Sequence, residues 1–375
     1  MTLGLLFSPV GVYLAIAVLM TVPLILNGIV SLFCFRRPRA MVTGGDAALP
    51  SISVLVPARN EERNIERCVR SALDQNYPNF EVVVLDDNST DLTYEILCKL
   101  RDQDEKLRVL AGAALPEGWS RRAFSIQQLA QASKNRYLLI TEASCELSPD
   151  ALLMAIGAIF EYKADVVSLA PDYAVETFLG NLLVPLILFA KIAFLPIALV
   201  RGSRSPWFAA ADEAFLCLDR DSYFDVDGYR AVRDRRFADM SFVQHDKRLR
   251  KTLWFGDGRL ACRSYRYLEP YSKWDSAVAS LFPGSSTSLA ALAPLLAYAL
   301  IVFIAPPIVA CIGWAACEPW AMLALAPYVG VVALRIAMAE MFQRESAVYA
   351  LLNPLAWAAA TVLAIDVAAH GARRE

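Results

Sequence analysis

Histidine is nearly absent from this chain, and cysteine occurs without any of the spacings that bind metals. Only His245 and His370 are present among 375 residues, which excludes a histidine-rich metal site. The eight cysteines are scattered with no Cys-x-x-Cys pair, so reduced thiols in the cytoplasm are the simplest interpretation. No nucleic-acid motif is visible, so we expect no nucleic-acid partner, and the formal net charge of -2 does not bear on this point.

Charged residues are missing from long stretches near both ends of the chain. Three apolar runs contain none, and a fourth contains only Asp366. Since a membrane crossing takes ~20 residues, these runs predict four transmembrane helices. The runs are Val10–Phe33, Leu289–Ile312, Trp320–Ala333 and Ala347–Ala369.

Basic residues orient the first of these runs. Arg36, Arg37 and Arg39 follow it directly, which predicts that this side faces the cytoplasm. The loop Gly313–Pro319 has no Lys or Arg and is expected outside. We therefore predict a multi-pass protein of the inner (plasma) membrane. A signal peptide is the alternative for Val10–Phe33, although the run is long for one and no basic segment precedes it.

Between these ends, residues 51–170 alternate between apolar strands and helical patterns. Five strands are predicted, with Asn60 as the N-cap of the first helix. A βαβ series of this kind implies an α/β fold with a mainly parallel, Rossmann-like sheet. The predicted strands are Ile52–Val56, Phe80–Leu85, Leu107–Leu110, Tyr137–Thr141 and Asp165–Leu169.

Two polar motifs follow the first two strands. The first begins Pro57-Ala58-Arg59-Asn60-Glu61, and the second reads Asp86-Asp87-Asn88-Ser89. The carboxyl ends of parallel strands meet at one edge, where open sheets bind nucleotides. A plain turn is the alternative for the second motif.

Together these motifs resemble the start of a family-2 glycosyltransferase of the GT-A fold. The resemblance implies that Pro57, Ala58, Arg59 and Glu61 line the pocket for the donor nucleotide. It also implies that Asp86 or Asp87 accepts from the base or the ribose, and the residues alone do not decide which. Further along, Arg121 and Arg122 begin a helix and would meet the donor diphosphate. A solvated helix start is the alternative for this pair.

The family usually carries Asp-x-Asp after the fourth strand, to hold a divalent cation on the diphosphate. Here the strand ends on Glu142-Ala143-Ser144-Cys145-Glu146. Oxygen ligands suit Mg²⁺ or Mn²⁺, so the resemblance implies a cation held by Glu142, Ser144 and Glu146. Serine supplies no charge, which puts metal dependence in doubt.

The resemblance also implies a catalytic base. Asp239 matches the acid that deprotonates the acceptor in non-processive members, and Ala238 replaces the acid before it. An N-cap is the alternative role for Asp239. The segment from Gln244 does not match the Gln-x-x-Arg-Trp of processive synthases, which favours transfer of one sugar.

We therefore predict three regions: an N-terminal transmembrane helix with its basic flank at 1–40, a GT-A domain at 50–285, and about three transmembrane helices at 287–375. Within the domain, 176–200 is apolar but contains Pro185, Lys191 and Pro196. A crossing there would separate Asp86 from Asp239 across the bilayer, so we predict an interfacial segment, with a membrane span as the alternative.

The function implied is a membrane-bound, inverting glycosyltransferase that moves one sugar from a nucleotide-sugar to a lipid or lipid-linked acceptor. The nearest likeness is to bacterial transferases of hopanoid, carotenoid or ceramide-type lipids. One alternative is a non-catalytic glycosyltransferase-like membrane protein that binds nucleotide or lipid. Another is a transporter-like or scaffolding membrane protein in which the middle domain only regulates, and the scarcity of ionisable residues in the apolar runs disfavours it.

Overall fold

The structure is a computed structural model of the chain that describes residues 8–41, 49–235, 237–268, 289–342 and 347–371. The chain forms two compact units. One unit comprises Phe35–Ala174 and Ile197–Arg266, and we call it the α/β unit. The other comprises Met1–Cys34, Val175–Pro196 and Tyr267–Glu375, and we call it the helical unit.

A seven-stranded sheet forms the centre of the α/β unit, with strand order β3-β2-β1-β4-β8-β6-β9. Strands β5, β10 and β7 form a second, small sheet. The strands are β1 Ile52–Ala58, β2 Phe80–Asp86, β3 Leu107–Ala111, β4 Tyr137–Ile140, β5 Cys145–Leu147, β6 Val166–Ala170, β7 Asp172–Tyr173, β8 Leu216–Asp219, β9 Leu253–Asp257 and β10 Cys262–Ser264.

The large sheet is mainly parallel, as the βαβ series predicted. Strand β1 runs parallel to β2 and to β4, and β2 runs parallel to β3, whereas β8 is antiparallel to both β4 and β6. In this register Ala58 lies beside Asp86, and Leu55 lies beside Ile140. The carboxyl ends of β1, β2 and β4 therefore meet at one edge of the sheet, and the polar motifs follow directly.

Buried aliphatic residues hold the helices of this unit on the sheet. Ile52, Val54 and Val56 of β1 share one core cluster with Ile65 and Val69 of the first helix. Their alternation along the strand matches the strand's two-residue period, and the i, i+4 pair lies on one helix face. The helices of the unit are Ile65–Leu73, Thr93–Arg101, Arg121–Ala132, Ala151–Tyr162, Ile197–Gly202, Arg220–Asp225 and Ala238–Arg248, with 3₁₀ turns at Pro206–Phe208 and Gly228–Val232.

The helical unit contains three helices long and apolar enough to cross a membrane: Pro9–Cys34, Leu292–Ala315 and Ala321–Phe342. They coincide with the first three apolar runs of the sequence. The fourth run is divided at Leu352 into helices Ala347–Leu351 and Asn353–Gly371. The predicted domain limits near 285 and 287 lie outside the described residues.

Helix Phe178–Phe194 also belongs to the helical unit and is buried along most of its length. Asn27 Nδ2 donates to the carbonyl of Ala193 at 2.7 Å, which ties this helix to Pro9–Cys34. Arg335 is fully buried and donates to Asn353 Oδ1 at 3.1 Å and to the carbonyl of Leu182 at 3.3 Å. The apolar segment 176–200 is thus grouped mostly with the candidate membrane helices, and its interfacial placement stays a prediction.

Candidate active site

The loops after β1 and β2 are joined by hydrogen bonds at the carboxyl edge of the sheet. Asp87 N donates to the carbonyl of Ala58 at 2.8 Å. Asn60 N donates to Ser89 Oγ at 3.0 Å, and Thr90 N donates to Asn60 Oδ1 at 2.8 Å. The two motifs quoted from the sequence therefore form one structural element. Within it Ala58 is buried, Pro57 and Glu61 are half-buried, and Arg59 is exposed.

Asp86 ends β2 with its carboxylate buried and only partly paired. Oδ2 accepts from Ser89 N at 3.3 Å, whereas Oδ1 is buried and has no hydrogen-bond partner in the part of the chain that the structure describes. The chain also approaches closely here, because a Cβ added at Gly112 would lie 3.0 Å from the carbonyl oxygen of Asp86. Since buried acceptors are normally paired, the open oxygen of Asp86 is a candidate ligand contact.

Arg121 and Arg122 begin the helix Arg121–Ala132, and each pairs with a different aspartate. Arg121 Nη1 donates to Asp87 Oδ2 at 3.0 Å, and its side chain is 45% exposed. Arg122 binds Asp239 through two nitrogens, with Nε 2.5 Å from Oδ2 and Nη2 3.1 Å from Oδ1. The helix start therefore links the motif after β2 to the predicted catalytic base.

Asp239 lies in the first turn of helix Ala238–Arg248, where Phe237 is the N-cap. The N-cap alternative for Asp239 is therefore wrong. Its carboxylate is almost completely buried, and it accepts from Tyr229 Oη at 2.7 Å in addition to Arg122. Tyr229 follows Gly228, whose φ of +51° is a conformation that favours glycine. This turn brings the Tyr229 hydroxyl within hydrogen-bond distance of the Asp239 carboxylate.

The protonation of this cluster follows from its burial and its charges. Burial raises the pKa of Tyr229 well above its usual value, and the charge of Asp239 raises it further. Burial alone would lower the pKa of Arg122, but the charges of Asp239 and Glu213 raise it above its usual value. Both groups therefore keep their protons and donate to Asp239.

A second cluster forms after β4, around Glu142. Glu142 Oε1 accepts from Ser264 Oγ at 2.9 Å, and its other oxygen pairs with Arg266. The same Arg266 guanidinium lies 2.5 Å from Oε2 of Glu213. Burial raises the pKa of Glu142, and Arg266 opposes that shift. Glu142 is therefore held by an ion pair and a hydroxyl.

The residues after β4 do not fit a divalent cation. Ser144 is buried and neutral, and Glu146 accepts from Tyr265 Oη at 2.6 Å. Across the described ranges, no three His, Cys, Asp or Glu side chains are grouped so that they could hold a metal ion. Glu142, Ser144 and Glu146 thus have separate partners, and their role as metal ligands stays a prediction.

Four residues of these clusters were not found from the sequence: Glu213, Tyr229, Ser264 and Arg266. Tyr229 lies beside Gly228 in the segment before Asp239, so its proximity in the chain was a usable signal. Ser264 and Arg266 reach Glu142 through the pairing of β10 with β5, in which Ser264 is opposite Cys145. Strands of three residues have no periodicity that a sequence pattern could reveal.

Comparisons with known proteins point to a glycosyltransferase domain in this part of the chain. The family model described as "Glycosyl transferase family 2" matches residues 53–196, which include both nucleotide motifs, the two arginines and Glu142. A beta-monoglucosyldiacylglycerol synthase from Trichormus variabilis is 31% identical over 135 residues, which are 36% of this chain and 28% of that protein. A chondroitin synthase from Pasteurella multocida is 31% identical over 115 residues, which are 31% of this chain and 11% of that protein. The chain therefore matches less than a third of the length of either relative.

Among solved structures, a mannosyltransferase from Pyrobaculum calidifontis in complex with GDP-Man and Mn²⁺ has the same fold. It is 15% identical, with a TM-score of 0.55, and the match covers 92% of this chain and 99% of that chain. At this identity the likeness establishes the fold alone. Residues 53–196 match glycosyl transferase family 2 and the chain has a GT-A fold, so the resemblance inferred from its two strand-end motifs is confirmed.

Proposed function

We propose that this protein is a membrane-bound glycosyltransferase that moves one sugar from a nucleotide-sugar to a lipid or lipid-linked acceptor, with inversion at the anomeric carbon. The observation that carries the proposal is that two neighbouring arginines make ion pairs with two of the predicted site aspartates. Asp87 pairs with Arg121, and the neighbouring Arg122 pairs with Asp239. In this proposal the nucleotide motif, the diphosphate-binding arginines and the base belong to one site.

In this proposal the donor nucleoside binds between the two motifs. The open Oδ1 of Asp86 accepts from the base or the ribose, whereas Asp87 holds Arg121 in place. Pro57, Ala58, Arg59 and Glu61 border the same space. The nucleotide-sugar in the structure of the P. calidifontis mannosyltransferase, GDP-Man, supports a donor of this class.

The transfer itself needs one base and no covalent intermediate. An acceptor hydroxyl attacks the anomeric carbon, and Asp239 takes the hydroxyl proton. The bond between the anomeric carbon and the phosphate oxygen breaks, and the nucleoside diphosphate leaves with the electron pair. Arg122 occupies both oxygens of Asp239 in the free protein. The incoming diphosphate competes for Arg122, so donor binding exposes the base to the acceptor.

A lipid acceptor is supported by two separate observations. Three helices are long and apolar enough to cross a membrane, and one relative is named as a diacylglycerol glycolipid synthase. By the positive-inside rule, Arg36, Arg37 and Arg39 support a cytoplasmic location for the α/β unit that follows them, which would give it access to nucleotide-sugars. The acceptor then approaches from the bilayer.

A second candidate is a non-catalytic protein that binds nucleotide or lipid. The observation that favours it is the replacement of an acidic pair by Glu142 and Ser144, with Glu142 already paired to Arg266. In this case the ion pairs described above stabilise the folded protein, which no longer transfers sugar from a nucleotide-sugar.

Transfer assays separate the two candidates. Membranes that contain the protein are incubated with labelled UDP-, GDP- and CMP-sugars, and the lipid extract is analysed by thin-layer chromatography. We expect one labelled glycolipid from one donor, and none from membranes without the protein. Nucleotide binding with no labelled lipid and no donor hydrolysis would favour the non-catalytic candidate.

A further inference from the structure

Arg266 lies beside Glu142, the residue that the sequence suggests as a cation ligand. Its Nη2 atom pairs with Glu142 and with Glu213. The Arg266 side chain is 18% exposed and the Glu142 side chain 8%, so water screens these pairs only partly. A permanently positive group therefore lies between two acidic side chains at the end of β4.

Strand β10 and the residues after it fix this position. Ser264 Oγ donates to Glu142 Oε1 at 2.9 Å, and Tyr265 N donates to the carbonyl of Ser144 at 2.9 Å. Residues 264–266 are therefore bonded along the whole Glu142–Ser144 segment. Both carboxylate oxygens of Glu142 are used, one by a hydroxyl and one by a guanidinium.

A divalent cation here would find few ligands. Glu142 and Glu213 already neutralise the guanidinium, Ser144 adds no charge, and Glu146 is bonded to Tyr265. A guanidinium, by contrast, has five N–H donors in a planar fork, so it can hold carboxylates and still donate to phosphate oxygens. The Arg266 guanidinium lies beside Glu142, where the resemblance to the family puts the donor diphosphate.

We propose that Arg266 takes the place of the divalent cation. Together with Arg121 and Arg122, it donates hydrogen bonds to the donor diphosphate, and nucleotide binding requires neither Mg²⁺ nor Mn²⁺. This inference rests on the proposed nucleotide-sugar function and adds a binding residue that lies outside the segment matched to the family, 53–196.

The first test is calorimetric. The purified full-length protein is titrated with UDP, GDP, CDP and ADP in EDTA, in Mg²⁺ and in Mn²⁺. We expect at least one nucleotide to bind, with a Kd that differs by about twofold or less among the three conditions. Binding only in the presence of a metal would overturn the role of Arg266 and leave the proposed function standing. Binding of no nucleotide in any condition would overturn both.

The second test uses variants in EDTA. Arg266→Gln should weaken nucleotide binding about tenfold or more, since a hydrogen bond to a charged group is lost in a partly buried site. Arg266→Lys keeps the positive charge but lacks the planar set of N–H donors. Its nucleotide affinity should therefore lie between that of the wild type and that of Arg266→Gln. Arg263→Gln is the control, because Arg263 lies on β10, is half exposed and pairs with Asp172 at 3.6 Å. Thermal unfolding shows whether Arg266→Gln folds. If it does not fold, the nucleotide affinity of Arg266→Lys tests the inference instead. Wild-type affinity in the folded Arg266 variant would contradict the inference.

A double variant tests whether a metal ion can take over the role proposed for Arg266. Ser144→Asp combined with Arg266→Ser gives the site a second carboxylate and removes the guanidinium, so Mn²⁺ should now raise nucleotide affinity. A double variant that binds nucleotide but is indifferent to Mn²⁺ would contradict the exchange of metal for arginine.

Discussion

Asp86 and Asp87 are neighbours in the chain but have different partners in the fold. The sequence predicts that both follow β2 and does not separate their roles. The distinction arises from Arg121, which lies far along the chain and reaches only Asp87. Oδ1 of Asp86 has no partner among the described residues. A local pattern cannot reveal such a difference, because the partner of each carboxylate is set by tertiary packing.

We predict that Asp86→Asn weakens nucleotide binding about tenfold, since a charged acceptor for a base or ribose donor is lost. The variant should not melt below the wild type, because the substitution removes a buried, partly unpaired charge. Calorimetry and thermal unfolding measure the two effects. Asp102→Asn is the control, because Asp102 is an exposed residue on the surface. Normal binding by Asp86→Asn together with a loss in Asp87→Asn would reverse the assignment.

Asp239 is the residue on which turnover depends in our proposal. We predict that Asp239→Asn lowers the transfer rate by about 10²–10⁴-fold, because the acceptor hydroxyl loses its base. Nucleotide affinity should equal or exceed the wild-type value, since the diphosphate then competes less with residue 239 for Arg122. Initial rates of lipid glycosylation measure the transfer rate, and calorimetry measures the nucleotide affinity. Asp234→Asn is the control, because Asp234 is an exposed residue that pairs with Arg235 at 3.6 Å. A variant that transfers sugar at the wild-type rate would exclude Asp239 as the base.

At the scale of elements, long apolar strands were predictable and short ones were not. The first four predicted strands agree with β1 to β4 to within two residues at either end. The small sheet of β5, β7 and β10 was not foreseen, since two or three residues show no alternation. The N-cap predicted at Asn60 is wrong: the helix begins at Ile65, and Asn60 has a φ of +52°. Its side chain accepts from Thr90 N, so a residue typical of caps joins two loops instead.

Helix Ala238–Arg248 carries a buried acid in its last turn, where the helix dipole disfavours negative charge. Burial raises the pKa of Asp246 to about 7, Lys251 opposes the shift and Asp165 adds to it. The unfolded carboxyl titrates at about 3.9. Between these values the folded state binds more protons than the unfolded state, so the free energy of unfolding decreases as pH rises.

Asp246→Asn should therefore raise the melting temperature at pH 8, and the gain should shrink at pH 5. The substitution removes an ionised carboxylate whose Oδ1 is buried without a partner within the described residues. Scanning fluorimetry across this pH range measures the effect. Asp225→Asn is the matched control, since Asp225 ends helix Arg220–Asp225 but is exposed. An equal gain at both pH values would show that the pKa of Asp246 is not raised.

At the scale of the whole molecule, composition alone indicated where the helical unit lies, because uncharged runs of about 20 residues are rare in soluble domains. Helix Phe178–Phe194 was harder to assign. It is apolar on every side, and a helix of that kind is usually buried rather than laid on a surface. Its neighbours in the fold are helices that precede and follow it by more than a hundred residues in the chain. Sequence spacing could not reveal that grouping.

The orientation of the helical unit can be tested with the protein's own cysteines. The loop Gly313–Pro319 is predicted outside, and Cys317 within it is exposed, whereas Cys98 lies in the α/β unit predicted inside. A membrane-impermeant maleimide should label Cys317 in intact spheroplasts, and Cys317→Ser should remove most of that label. Cys98 should react only after the membrane is permeabilised, as peptide mass mapping will show, and this supplies the internal control. Labelling of Cys98 in intact spheroplasts would place the α/β unit outside, away from cytoplasmic nucleotide-sugars, and would contradict both the topology and the proposed donor class.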